Sequence, residues 1–180
     1  MPQDRYGHEH TGYRRLSWDD VMDMCRELAQ TIRTEYDPDL VVGIAKSGMV
    51  PAVILASMLR KDLYPIRLSR RKKDIVVREK PEWSVPLTEE VDGKTVLIVD
   101  EFAATGETMR LAVGEARKKG ARQVKTASLC VHTDSWRPNW YALETDDLII
   151  QPWDYEVLDK NGRFVVHPEY DEAIGRIGPR

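Results

Sequence analysis

The sequence predicts an α/β fold, a parallel sheet flanked by helices, and three observations carry that expectation. Two apolar runs, residues 40–45 (LVVGIA) and 95–99 (TVLIV), have the length and unbroken hydrophobicity of strands buried on both faces. A helical repeat of apolar positions borders each run. The 180 residues, 32% charged and 42% hydrophobic, have the balance of one globular domain that holds a core without disulfides or structural metal.

Each element follows from local chemistry. Ser17 and Asp20 resemble an N-cap with an acidic first turn, and Val21, Cys25, Leu28, Ala29 and Ile32 then recur at helical spacing until Asp37-Pro38 breaks the pattern. After the strand at 40–45 comes the turn Lys46-Ser47-Gly48, and Pro51 suits the start of a helix over 51–60. Residues 64–68 read as a strand; residues 69–90, charged and holding Pro81 and Pro86, read as a long loop or mobile hairpin. Asp92-Gly93 marks a turn before the strand at 95–99. A helix over 105–119 turns Met109, Ala112, Val113 and Ala116 inward and closes at Gly120. Residues 124–131, 140–143 and 148–150 complete the strands.

Strands alternating with helices give a Rossmann-like sheet with right-handed crossovers, whose ligands bind beyond the carboxyl ends of the strands. That places Lys46-Ser47-Gly48 and Asp100-Glu101 at one rim. The expected organisation is a single domain over 1–180, with a core over about 17–131 and a small hood from 1–16 and 132–180.

Several function classes are excluded. The longest stretch free of Asp, Glu, Lys and Arg, residues 47–59, is shorter than a membrane helix needs, and residues 1–11 lack the apolar run of a signal peptide. A net charge of -3 argues against coating nucleic acid. Cys25 and Cys130 form no C-x-x-C pair, so no disulfide framework or zinc knuckle is indicated, and a reducing, cytoplasmic setting is expected.

The sharpest motif is 96–108, VLIVDEFAATGET: an apolar strand, two adjacent carboxylates, a small-residue turn, and Thr-Gly-x-Thr opening a helix. The turn over 103–108 can aim several backbone N–H groups at one phosphate, with the helix dipole behind them and two threonine hydroxyls beside them. Ala103, Ala104 and Gly106 let the backbone approach closely. Asp100 and Glu101 can accept hydrogen bonds from vicinal sugar hydroxyls and hold a divalent metal. The combination suits a ribose bearing a 5'-phosphate. A Walker A loop is absent, because Gly43-x-x-x-x-Gly48 continues into Met49-Val50, and G-x-G-x-x-G does not occur.

With these residues the chain resembles the type I phosphoribosyltransferases, whose motif for phosphoribosyl pyrophosphate (PRPP) is four apolar residues, two acids and a Thr-Gly-x-Thr loop. Three more segments resemble the purine salvage branch. Ala45-Lys46-Ser47-Gly48 is similar to its pyrophosphate loop, Ile66-Arg67-Leu68 to a strand end that supplies an arginine to pyrophosphate, and Gln151-Pro152-Trp153-Asp154 to the base-site segment of bacterial xanthine-guanine enzymes. The resemblance implies Mg²⁺-dependent transfer of the phosphoribosyl group to a free nucleobase, a purine first of all, with release of pyrophosphate and formation of a nucleoside monophosphate. It also implies a homodimer or higher homo-oligomer.

In that reading Lys46, Arg67, Asp100 and Glu101 do the electrostatic work. Ala45, Ser47, Gly48, Ala103, Ala104, Thr105, Gly106, Glu107 and Thr108 line the PRPP site, and His132, Leu148, Ile149 and Trp153 line the base site. Asp100 and Glu101 hold the metal, with Asp154 as its second arm.

Three positions depart from the family pattern. Ala104 stands where hypoxanthine-guanine members have an Asp that exchanges a proton with the base, no lysine ends the strand at Leu129-Cys130-Val131-His132, and Leu148 replaces a stacking aromatic. His132 is the best-placed titratable substitute. The phosphoribosyl half is therefore expected to be intact and the base half altered. A PRPP- or nucleotide-binding regulator with little turnover, using Arg70-Arg71-Lys72-Lys73 on RNA, is the alternative; that run otherwise reads as a solvated loop. His8-Glu9-His10 reads as part of a polar terminus, and Trp136, Trp140 and Trp153 as pocket or core residues.

Overall fold

The computed structural model describes residues 10, 12–69, 71–72, 75–76 and 81–177. The chain divides into two compact units, a larger one over Met22–Glu144 and a smaller one from Met1–Val21 with Thr145–Arg180. The strands are β1 (Tyr13–Arg15), β2 (Leu40–Ile44), β3 (Asp62–Ser69), β4 (Arg71–Lys72), β5 (Ile75–Val76), β6 (Glu82–Val85), β7 (Thr95–Ala103), β8 (Gln123–Val131), β9 (Trp140–Glu144), β10 (Leu148–Ile150), β11 (Glu156–Leu158) and β12 (Phe164–Val166). The helices are α1 (Trp18–Glu35), α2 (Met49–Leu59), α3 (Glu107–Lys118) and α4 (Pro168–Ile177), with a short 3-10 turn at Glu89–Val91.

The larger unit is built on a six-stranded sheet in the order β6-β3-β2-β7-β8-β9. All neighbours run parallel except β6, which pairs antiparallel to β3. The apolar runs behave as their composition demands, since every residue of β2 is buried and β7 is buried from Thr95 through Asp100. One core cluster gathers Val42, Ile44, Ile66, Val96, Ile98, Met109 and Ala112 between sheet and helices. At Gly43 an added Cβ would lie 2.8 Å from the Cβ of Ala52, so its absence is what lets α2 lie close on β2.

Two expectations are corrected, those on the strands at 95–99 and 148–150. Within 69–90, read as a loop or hairpin, β4 and β5 pair antiparallel as a hairpin does, β3 runs on to Ser69, and Glu82–Val85 adds an antiparallel edge strand. Its alternation was masked by charge and proline, whereas pairing to the already formed edge of β3 needs only backbone groups. The strand at 95–99 continues to Ala103, because the buried β8 offers hydrogen-bond partners beyond the end of the apolar run, Phe102 pairing with Cys130. Leu148–Ile150 does not extend the main sheet; β10 pairs in parallel with β1 in a two-stranded sheet of the smaller unit. The larger unit reaches Glu144, where β9 pairs with β8. The N-cap at Ser17 forms as read, its hydroxyl accepting the Asp20 N–H at 3.1 Å while Asp20 Oδ2 accepts the Ser17 N–H at 2.7 Å.

No helix among the described residues is long and apolar enough to cross a membrane. Arg70 and Lys73 of the basic run, and His8 and Glu9 of the terminal cluster, lie outside the described residues.

Candidate functional site

The strand order sets where a ligand can bind. From β2 the chain crosses to β3 on one side, while β7, β8 and β9 extend the sheet on the other, so the connections diverge between β2 and β7. Such a switch point opens a crevice at the carboxyl ends of the strands. Four of these ends carry candidate residues: Arg67 on β3, Ala45-Lys46-Ser47-Gly48 after β2, residues 100–106 on and after β7, and His132 after β8.

The turn after β2 is held on both sides. The Ala45 N–H donates to the Ile66 carbonyl at 2.7 Å, and the Met49 N–H to the Lys46 carbonyl at 3.2 Å; the Ala45–Lys46 peptide is cis. On its far side Gly48 touches the acid pair. A Cβ built at Gly48 would lie 2.5 Å from Asp100 Oδ1, 2.6 Å from the Ile44 carbonyl and 2.9 Å from Asp100 Cα. The pyrophosphate-loop candidate and Asp100 are thus in van der Waals contact. Lys46 and Arg67 are exposed, and Arg67 lies one residue beyond the pairing of Ile44 with Ile66, on the side of β3 turned away from the buried Ile66 and Leu68.

Asp100 is buried and Glu101 half-buried, and Asp100 Oδ1 accepts the Glu101 N–H at 3.0 Å. Burial first, and then the Glu101 carboxylate beside it, push Asp100 well above the usual carboxylate range. A buried acid held beside a second acid is a site for hydroxyl donors or a cation.

Past the acids, Ala103 is buried, Ala104 half-buried and Thr105 exposed, its Oγ1 accepting the Glu107 N–H at 3.3 Å. Gly106 takes φ 72°, ψ 3° and is the N-cap of α3 with no side-chain cap. The helix therefore starts with backbone N–H groups directed at the turn, and Glu107 and Thr108 are half-buried in its first turn. Behind Gly106 stands Trp136: an added Cβ would lie 2.5 Å from the Cβ of Trp136. Buried His132 sets its ring edge-to-face on Phe102, centroids 4.6 Å apart and planes at 75°.

The larger unit thus assembles the predicted phosphoribosyl residues. Leu148, Ile149, Trp153 and Asp154 lie in the smaller unit. Leu148 and Ile149 are in β10, paired with Tyr13 and Arg14. The Trp153 ring lies tilted at 47° to that of Trp18, centroids 5.8 Å apart, and its Nε1, like the buried Gln151 Oε1, finds no hydrogen-bond partner among the described residues. Asp154 Oδ2 accepts the Tyr170 hydroxyl at 3.1 Å. Trp140 is a core residue, its Nε1 donating to Glu35 at 2.9 Å and its ring 5.8 Å from Tyr36. Phe102 stands inside the 96–108 motif with no role read for it, and Trp136 reads only as a pocket or core residue; no local pattern marks either as a support of the β7 turn.

Among the described residues no three His, Cys, Asp or Glu side chains cluster as metal ligands. Two adjacent carboxylates, one of them buried and offering only hard oxygen donors, nevertheless fit Mg²⁺, which is held by one or two protein carboxylates with substrate oxygens completing its shell.

The profile of the phosphoribosyl transferase domain matches residues 16–160. The chain belongs to the phosphoribosyltransferase family. This is the family that the 96–108 motif and its companion segments resemble. The chain is 30% identical over 129 residues to the hypoxanthine-guanine phosphoribosyltransferase of Schizosaccharomyces pombe, covering 61% of this chain and 62% of the relative. It is 31% identical over 121 residues to the transcriptional regulator GfcR of Thermoplasma acidophilum, covering 67% of this chain and 54% of the relative. The match thus spans less than two-thirds of either curated relative. The purine phosphoribosyltransferase of Pyrococcus horikoshii superposes with a TM-score of 0.72 at 32% identity, covering 82% of this chain and 99% of that one.

Proposed function

We propose that this protein transfers the 5-phosphoribosyl group of PRPP to a nitrogen of a free purine base, releasing pyrophosphate and forming the nucleoside monophosphate. The observation that supports it most is the contact of Gly48 with Asp100, which brings the Lys46 turn and the acid pair to one crevice beside the α3 N-terminus. The anhydride-bearing C1–O bond breaks, the base nitrogen bonds to C1, and the proton of that nitrogen leaves to solvent or a neighbouring base. No protein nucleophile takes part.

This chain's residues bind and polarise. Lys46, the backbone around Ser47, and Arg67 take the departing pyrophosphate. Asp100 and Glu101 hold the ribose hydroxyls and are the residues that would hold Mg²⁺, which when bound offsets the charge on the leaving group. The turn from Ala103 to Gly106 and the first N–H groups of α3 cradle the 5'-phosphate. With Ala at 104, proton transfer falls to His132 or water, so hypoxanthine and guanine are expected to react slowly.

The test is incubation with PRPP, Mg²⁺ and a panel of free bases, reading nucleoside monophosphate by mass and pyrophosphate release. A product for at least one base supports the reading; none for any base, with PRPP bound, sinks it. A second reading, a PRPP- or nucleotide-binding regulator, is favoured by the 31% identity to a transcriptional regulator. Tight PRPP binding without turnover would decide for it.

A further inference from the structure

The turn from Ala103 to Gly106 has almost nothing of its own to fix it. Two of its residues are alanines, Thr105 is exposed, and Gly106 caps α3 with no side chain in a left-handed conformation. A phosphate cradle made of backbone N–H groups works only if those groups already point at the phosphate before it arrives. The stiffness therefore has to come from outside the turn.

It comes from the β8–β9 connection, residues 132–139, which touches the β7 end at two points on either side of the turn. His132 packs edge-on against Phe102, and Trp136 packs against Gly106. At the second point a Cβ built at Gly106 would lie 2.5 Å from Cβ, 2.9 Å from Cε3 and 3.0 Å from Cγ of Trp136, so the root and edge of the indole lie against the glycine. The connection is itself braced. The Ser135 N–H donates to the His132 carbonyl at 3.1 Å, and the Arg137 guanidinium donates to the Thr133 carbonyl at 2.6 Å and to Glu144 at 2.8 Å. Its other nitrogen lies 2.7 Å from the second Glu144 oxygen, a two-pronged bond to the strand at the far end of the connection.

We propose that Trp136 is a positioning residue for the 5'-phosphate cradle, the wall against which the Gly106 turn is set. This rests on the reading of that turn as the phosphate site. It predicts a division of labour: Trp136 acts on the phosphate of a nucleotide and leaves the pyrophosphate turn after β2 untouched.

The experiment measures, by calorimetry with Mg²⁺ present, the binding of AMP, GMP, IMP and XMP and separately of inorganic pyrophosphate to the full chain. Wild type, Trp136→Ala and Trp136→Phe are compared. Trp136→Ala is expected to weaken the best-bound nucleotide about tenfold, as a small misplacement of binding groups does, with pyrophosphate affinity unchanged and Trp136→Phe restoring most of the loss. Unchanged nucleotide affinity in folded Trp136→Ala overturns the proposal, and so does an equal loss for nucleotide and pyrophosphate, which marks a merely structural residue. Should Trp136→Ala fail to fold, Trp136→Leu is judged by the same two affinities. Failure of wild type to bind any of the four nucleotides while binding pyrophosphate overturns the phosphate reading of the turn itself.

Discussion

The turns after β2 and β7 both contain a glycine that admits no side chain, for different reasons. Gly48 has φ -61°, open to any residue, and is excluded from a larger side chain only by what it touches, namely Asp100 and the Ile44 carbonyl. Gly106 has φ 72°, costly for other residues, and also abuts Trp136. The first turn is shaped by contact with the buried Asp100 carboxylate, the second by its own backbone and an aromatic wall. Chemistry and scaffolding are therefore separable by mutation at neighbouring strand ends.

The largest effect is expected from removing the carboxylate on which the first turn rests. Asp100→Asn with Glu101→Gln deletes charge-assisted hydrogen bonds worth about 1.5–3 kcal/mol each, so PRPP affinity should fall at least about tenfold in calorimetry. Stability should move the other way. Because the folded-state pKa of Asp100 lies above its unfolded value, its favourable protonated contribution is fully present below the unfolded pKa and is lost as pH rises through the folded pKa. Melting in EDTA should therefore show Asp100→Asn gaining on wild type as pH increases from about 4, the ordinary range of a carboxyl. A constant difference across pH would mean that Asp100 is not held above its ordinary range.

Gly106→Ala follows. Forcing a side chain into the left-handed region costs roughly 1–2 kcal/mol, and the collision with Trp136 about 1–3 more. Gly48→Ala carries the collision alone, about 1–3 kcal/mol. Denaturant melts of the two should rank them in that order, and their binding defects should differ in kind: nucleotide affinity lost at 106, pyrophosphate affinity at 48. Equal defects toward both ligands in both variants would dissolve the distinction between the turns.

The same contrast explains what the sequence makes readable. β2, β7 and the acid pair are local, since an unbroken apolar run followed by two carboxylates marks both a buried strand and its candidate site end within a dozen residues. Trp136 lies far from Gly106 along the chain, and nothing in Ser135-Trp136-Arg137 announces that its wall faces Gly106; the contact exists only once β7 and β8 pair. Glu82–Val85 was hidden for the same reason, as an edge strand with one buried neighbour shows no apolar run. In the smaller unit, three-residue strands such as Tyr13–Arg15 are too short for any periodicity to reveal their pairing with Leu148–Ile150. A site built on strand ends is therefore read in its ligand-facing motif and missed in its supports.

The smallest effect, and the sharpest check on where the second turn gets its shape, is at Thr105. Its hydroxyl makes one exposed hydrogen bond, accepting the Glu107 N–H at 3.3 Å, and such a bond contributes about 0.5–1.5 kcal/mol at most. Thr105→Ala should lower the melting temperature by no more than about 2–4 °C per kcal/mol lost in a chain of this size. It should weaken nucleotide binding less than Gly106→Ala does, and Thr105→Ser, which keeps the acceptor, should recover most of the loss. The reason is that a turn set against Trp136 keeps its course when one of its own side-chain bonds is removed. If Thr105→Ala instead costs as much as Gly106→Ala in both stability and nucleotide affinity, the turn is held by its own hydroxyl and not by the wall behind it. The two strand-end turns would then be shaped alike, each by a polar contact with the machinery it serves.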